Sequence, residues 1–420
     1  MKTEKRLTEG PILKTMVLFS IPMILGNMLQ QVYTITDTLI VGRYLGSSAL
    51  ASVGSVYTLI TFVTSLIIGL TMGCGALFSF DYGKRDNLQL ERDTWNSFVL
   101  LLVLTTVLEV LVLLFLRVIL RLIRTPVELL ESSFDYSRIL FSGLFFVFLY
   151  NYSAYFLRSR GNSTVPLVFL GLSSVLNIGL DILFVPVLER GIQGAAEATF
   201  LSQGIAALGI SLFVLLQEKK HLPKKETRIL SVSLLKNILN YASFTALQQS
   251  VMNFGILMIQ SLINSYGTVI MASFAAAVKI DTLAYMPSQE FANAYSLFVS
   301  QNKGAQEEER IRKGTKGAYL ISILFCILVA ALVNLFSSSL LALFVDRSET
   351  AIIQEGVRYL RIEGTFYWGI GALFLFYAYF RGIGKPSISL VLTIISLGTR
   401  VLLAYTLSPF FGTTVIYLAI

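Results

Sequence analysis

Eleven apolar runs of about 20 residues or more follow one another along this 420-residue chain, and that repetition restricts the fold before any single residue is weighed. A run of this length crosses the roughly 30 Å hydrocarbon core of a bilayer as an α-helix, and the alternating segments of about 10 residues that build a membrane barrel do not occur. The runs fall at 14–41, 49–79, 94–117, 137–157, 164–186, 193–217, 236–264, 268–300, 317–343, 357–380 and 387–408, with a stub from 413. Only 14% of the residues are charged, against about 25% in a soluble domain. The sequence therefore predicts an all-α integral membrane protein. Its basic start resembles a signal peptide, but the apolar run continues past signal-peptide length and is read as the first transmembrane helix.

What is missing excludes several functions. The longest polar segment, 217–228, is too short to be a soluble sensory domain. Cys74 and Cys326 lie inside apolar runs, as buried thiols do, and the single histidine, His221, falls in the polar linker. A membrane-embedded enzyme built on histidine or a metal cluster has no material here. Nucleic acid is not the natural partner of a chain this apolar, despite its +8 net charge.

Sorting Lys and Arg by loop places 22 of the 33 on the side of the N-terminus (Lys2 and Lys5 among them) and the linker, which predicts that this side is cytoplasmic. The chain also repeats itself. Arg158 and Gly161 recur with the same spacing as Arg381 and Gly384, and a proline follows each pair, Pro166 in one and Pro386 in the other. Gly46, Ala51 and Ser52 recur at nearly the same offset as Gly267, Ala272 and Ser273, and Gly83 recurs as Gly304. Both halves begin on the same side, so the repeat is parallel, related by an axis along the membrane normal. The expected organisation is an N-lobe over 1–217, a cytoplasmic linker over 218–235 and a C-lobe over 236–420. The run after Gly412 stops at Ile420, too short to cross a bilayer, so the twelfth helix reads as truncated.

Polar residues inside the runs carry the candidate chemistry. Asp37 lies deep in an apolar stretch, where an unpaired charge costs roughly 2.5–3.5 kcal/mol on insertion scales, so it needs partners. Pro22 removes a helix hydrogen bond upstream of it and predicts a bend. Asn177 and Asp181 are four residues apart and share a helix face, and Thr199 follows on the next span. Two carboxylates, an amide and a hydroxyl form an all-oxygen set suited to a proton or to a hard cation such as Na⁺. Gln30, Gln31 and Tyr33 on the first span are candidates for substrate contact or interhelical hydrogen bonds. In the second half, Arg400 and Ala404 stand at the repeat positions of Asn177 and Asp181. There Lys279, Asp281 and Glu290 sit on the eighth span, with Lys279 and Glu290 eleven residues apart on one face. They read either as a polar stripe along a substrate path or as internal charge pairs, with Arg400 pairing to Asp281 or Glu290. Glu109, Glu197 and Glu363 are weaker candidates.

At these residues the chain resembles the multidrug and toxin extrusion (MATE) family of secondary transporters. The matching pieces are Pro22, Gln30-Gln31, Asp37-Thr38, Val41-Gly42-Arg43 and Gly46 with Ala49 and Ala51. Leu157-Arg158 with Gly161 and Pro166, Asn177 with Asp181, and Gln301-Asn302 with Gly304-Ala305 follow. The resemblance covers nearly the whole chain. It implies two six-helix lobes forming a V, and export of organic, often cationic, drugs in exchange for H⁺ or Na⁺ with no cofactor. It further implies a monomer in a bacterial-type inner membrane, a cation site at Asp37, Asn177, Asp181 and Thr199, and a first-helix bend at Pro22. The alternative within the same superfamily is a lipid-linked saccharide flippase.

Overall fold

The computed structural model describes residues 6–419; Lys2, Lys5 and Ile420 lie outside the described residues. Those described are helical throughout, with no strand among them. The first half comprises α1 (Ile12–Lys84), α2 (Asn87–Leu122), α3 (Leu130–Phe141), α4 (Leu144–Arg158), α5 (Thr164–Ile182) and α6 (Gly191–Gln217). The second half comprises α7 (Val232–Asn264), α8 (Thr268–Gly304), α9 (Glu308–Leu341), α10 (Thr350–Gly364), α11 (Tyr367–Gly382), α12 (Pro386–Phe411) and the short α13 (Thr413–Ala419). Eight helical stretches among the described residues are long and apolar enough to cross a membrane. A belt of exposed apolar side chains, among them Val107 and Leu114 on α2, Leu324 and Leu335 on α9 and Ile395 and Leu402 on α12, faces outward as lipid-facing surface does.

The first two expected spans form a single element. At about 1.5 Å per residue, the 73 residues of α1 would run about 110 Å, so the chain must turn within it. Only Gly46 departs from helical angles, at φ 83°, where a side chain would be strained, and α1 is thereby divided into two limbs. Gly267, its counterpart in the repeat, has the same kind of conformation at φ 96° between α7 and α8. Pro22 produces no comparable departure from helical angles within α1. The spans expected at 137–157 and 357–380 also need correction. Each starts earlier and is broken into two helices, at Ser142-Gly143 and at Thr365-Phe366, which are matching positions of the repeat. The repeat thus extends to the interruptions of its helices.

The halves meet at the end of the molecule that carries the 218–231 linker, called here the linker end. A Cβ on Gly83 would lie 1.9 Å from the carbonyl oxygen of Gln301, and one on Gly304 would lie 1.9 Å from that of Phe80. Phe80 and Gln301 are themselves counterparts in the repeat, offset as Gly83 is from Gly304, so the two close approaches are the same contact seen from either side of a pseudo-two-fold axis. Each half also lends its leading segment to the other. Leu7 donates its N–H to Gln301 Oε1 and its carbonyl accepts from Asn302 and Arg310, while Met16, Phe19 and Met23 pack with Phe291, Tyr295 and Phe298 of α8. In return, the segment before α7 is tied to α2 through Glu91 and Asn96, and Ile238 and Ala242 enter the core of the first half. Asp86 caps α2 beside this contact; the Gln89 N–H and then the Lys84 ammonium hold its carboxyl below the usual range. Toward the far end each half keeps its own core, one around Ile40, Val53 and Val185, the other around Ile263, Phe274 and Tyr359.

Candidate functional site

The first limb of α1 leaves the second half at the linker end and enters the first half at the far end, which is where Asp37 lies. Gln30, Tyr33 and Asp37 recur at helical spacing and so share one face of the limb. Tyr33 sits beside Gln30 and Gln203 of α6, whereas Gln31 and Pro22 are half-buried elsewhere on the limb. Asp37 is buried, and Asp181 of α5 is buried within electrostatic range of it. One turn before Asp181, Asn177 donates its amide to Thr199 Oγ1 on α6 at 3.3 Å. The four residues expected to form a cation site are thus gathered from three helices.

What distinguishes the site is unsatisfied oxygen. Asp37 Oδ1, Asn177 Oδ1 and both carboxylate oxygens of Asp181 are buried without a hydrogen-bond partner among the described residues. Buried polar atoms are nearly always paired, and an orphaned carboxylate is the most expensive exception. Among the described residues no cationic side chain is grouped with them, so the set is acceptor-rich and can take up a proton or an oxygen-coordinated cation. Sequence reasoning missed two neighbours. Gln203 is one turn beyond Thr199 and could have been found by helical spacing, whereas Tyr136 of α3 reaches the electrostatic range of both acids only through the tertiary fold.

The second-half candidates part company. Asp281 accepts a hydrogen bond from Tyr367, with Tyr359 and Glu363 within hydrogen-bonding reach and Arg400 within electrostatic range. Arg400 lies within electrostatic range of Asp281 and Glu363 rather than of Glu290, and its Nε is buried without a hydrogen-bond partner among the described residues. Lys279 and Glu290 do not line a common stripe. Lys279 lies over the Phe344 ring at 5.8 Å, while Glu290 accepts from Asn293 at 3.0 Å near the contact between the halves, beside Asn27, Arg158 and Arg381. Their spacing puts them on one face of α8, but the neighbouring elements give its two ends different surroundings. Glu197 is ion-paired with Arg190 at 2.7 Å, and Glu109 lies half-buried beside Phe145.

Comparison with known proteins gives one answer from sequence and structure. The family model described as MatE matches residues 22–183 and again 245–406, once in each half. The probable multidrug resistance protein YpnP of Bacillus subtilis (strain 168) is 34% identical over 93% of this chain and 86% of its own length. A solved structure described as the outward-facing conformation of a multidrug resistance MATE family transporter of the MOP superfamily superposes with a TM-score of 0.92 at 26% identity, covering 100% of this chain and 93% of the other. Another, of a MOP superfamily transporter from Pyrococcus furiosus whose binding pocket is described as having reverse polarity, superposes at 0.93 with 26% identity, over 100% and 94%. Carrying the family pattern in both halves and the family's architecture over its whole length, this chain belongs to the MatE family and is a multi-pass membrane transporter, not an enzyme.

Proposed function

We propose that this protein is a cation-coupled antiporter that exports organic, cationic small molecules in exchange for H⁺ or Na⁺. In this reading it works as a monomer in a bacterial-type inner membrane, with residues 1–217 and 236–420 as its two lobes and the linker end in the cytoplasm. The observation that carries the reading is the set of four unpartnered oxygens on Asp37, Asn177 and Asp181, held on α1 and α5 toward the far end. The coupling cation would neutralise these oxygens, and Thr199 would complete the set. α1 is suited to transmit the change, because its other end is part of the contact that joins the halves. Pro22 lies at the edge of that contact, between Phe19 and Met23, where its missing N–H leaves the Leu18 carbonyl without a helix partner and makes bending cheap. Gln30 and Tyr33, on the Asp37 face, would contact the substrate. Cation and substrate must favour opposite states, so each weakens binding of the other.

The test is ethidium efflux from membrane vesicles with an imposed Na⁺ or H⁺ gradient as the sole energy source, comparing the protein with its Asp37→Asn variant. Efflux that one gradient drives and the variant loses identifies the ion and supports the antiporter. Equal efflux by both removes Asp37 from coupling. Absence of efflux with several cationic dyes favours the lipid-linked saccharide flippase, a reading to which the two arginines near Glu290 lend some support, since a headgroup phosphate needs such donors.

A further inference from the structure

We infer that a small polar pocket of the second half, between α7, α8 and α11, receives the anionic group of an amphoteric substrate, a carboxylate or a phosphate; the inference rests on the transporter reading and narrows its substrate class. Gln248, Gln289, Asn293, Tyr377 and Arg381 wall the pocket. Arg381 is 4% exposed. Its Nε donates to Ser296 Oγ at 3.0 Å and one terminal nitrogen to Asn293 Oδ1 at 2.9 Å, so the guanidinium is held in one orientation with donor capacity left over. Such a preorganised fork is the side chain best matched to an oxyanion.

Its charge is not balanced locally. Arg158, at the same repeat position in the first half, reaches Glu290 from across the contact between the halves, and its Nε is buried with no hydrogen-bond partner. Two guanidinium groups thus share one carboxylate, whose Oε1 is already taken by Asn293. A buried surplus positive charge is costly unless paired, and an incoming oxyanion supplies the counter-charge. The opposite wall offers the complementary chemistry. Gln248 is 1% exposed and its Oε1 has no partner, leaving an acceptor for an N–H of the same ligand. Donors on one side and an orphan acceptor on the other select a molecule that carries both an oxyanion and an N–H. The Asp37 site, which is rich in acceptors alone, cannot make this selection.

The experiment measures binding of two fluorescent probes that differ in one group, rhodamine 110, which carries N–H donors and a free carboxylate, and its methyl ester rhodamine 123, to the full-length protein in phosphatidylcholine nanodiscs. The free acid is expected to bind the unaltered protein more tightly than the ester. Arg381→Gln should weaken the acid roughly 10-fold to 100-fold while leaving the ester within about twofold, and Arg381→Lys should recover part of the loss. Equal binding of acid and ester to the unaltered protein overturns the inference without relying on any variant to fold, as does an Arg381→Gln loss that is the same for both. Displacement of the acid by added phosphatidylglycerol assigns the anion to a lipid headgroup; retention assigns it to a diffusible substrate. Gradient-driven efflux of ethidium and of the free acid in parallel separates the two readings: efflux without acid preference in binding sinks the pocket alone, and acid preference without efflux of either probe sinks the antiporter alone.

Discussion

In the first half, Asp37 and Asp181 face an amide, a hydroxyl and the buried Tyr136; in the second, Asp281 and Glu363 face the buried tyrosines Tyr359 and Tyr367 and the guanidinium of Arg400. Tyr136 and Tyr359 occupy the same repeat position, offset as Arg158 is from Arg381, so both halves set a buried tyrosine beside a pair of acids. They differ in how the acids are compensated. Arg400 stands where the first half has Asn177, and Ala404, fully buried, stands where it has Asp181. The second half therefore sets a side-chain cation within range of its acids, though Asp281 Oδ2 and Glu363 Oε2 stay without a hydrogen-bond partner, whereas the first leaves four oxygens open with no cationic side chain grouped with them among the described residues. A resident cation cannot be exchanged, so the proposed coupling is assigned to the half without one. In that proposal the duplicated scaffold divides into a site that cycles and a counterpart whose positive charge stays in place.

Substitutions can break this contrast or sharpen it. The largest effect is expected from Asp37→Asn, which should lower gradient-driven ethidium efflux by about 100-fold or more, since an ion with no differential affinity for two states shifts nothing. Asp281→Asn, assayed in the same vesicles, should leave the identity of the coupling ion unchanged. Next, Arg400→Gln should take a nearby positive charge away from the second-half acids and destabilise the protein by about 1–2 kcal/mol, read as a lower melting temperature in detergent, with ion selectivity intact. If instead Arg400→Gln makes the second half ion-responsive, the division of labour is refuted. Asn177→Arg imports the second-half solution into the first. It should reduce the response of substrate binding to Na⁺ or pH by roughly 10-fold, in proportion to a pair interaction of about 1–2 kcal/mol at partly screened depth. The smallest change is Thr199→Val, which removes one neutral ligand and should weaken apparent ion affinity about fivefold, the equivalent of about 1 kcal/mol.

Much of the first-half site was legible in the residues. A carboxylate in an apolar run is conspicuous because lipid offers it nothing, and the spacing of Asn177 and Asp181 put them on one helix face. Tyr136 was not legible, since a tyrosine in a membrane helix is more often an interface anchor and nothing in its own segment points to acids on α1 and α5. The second half misled for a related reason: Lys279 and Glu290 share a face on an ideal helix, but one end of α8 meets Phe344 and the other meets Arg158 and Arg381. Nor could the sequence reveal that one glutamate serves two arginines from matching positions of the two halves.

The sequence by itself determined the element type, the twofold repetition and the polar residues that must be accounted for, because run length, residue spacing and the cost of charge in lipid are properties of a segment and its solvent. Only the tertiary structure decided which surfaces meet: that the first limb of α1 joins the core of the opposite half at one end and carries Asp37 at the other, and that Gly83 and Gly304 seat on each other's helices. In a soluble protein an apolar face announces that it will be buried against protein. In a bilayer the lipid-facing and protein-facing sides are equally apolar, so hydrophobic pattern no longer names the neighbour, and the choice passes to shape, small residues and the few polar groups that must find partners.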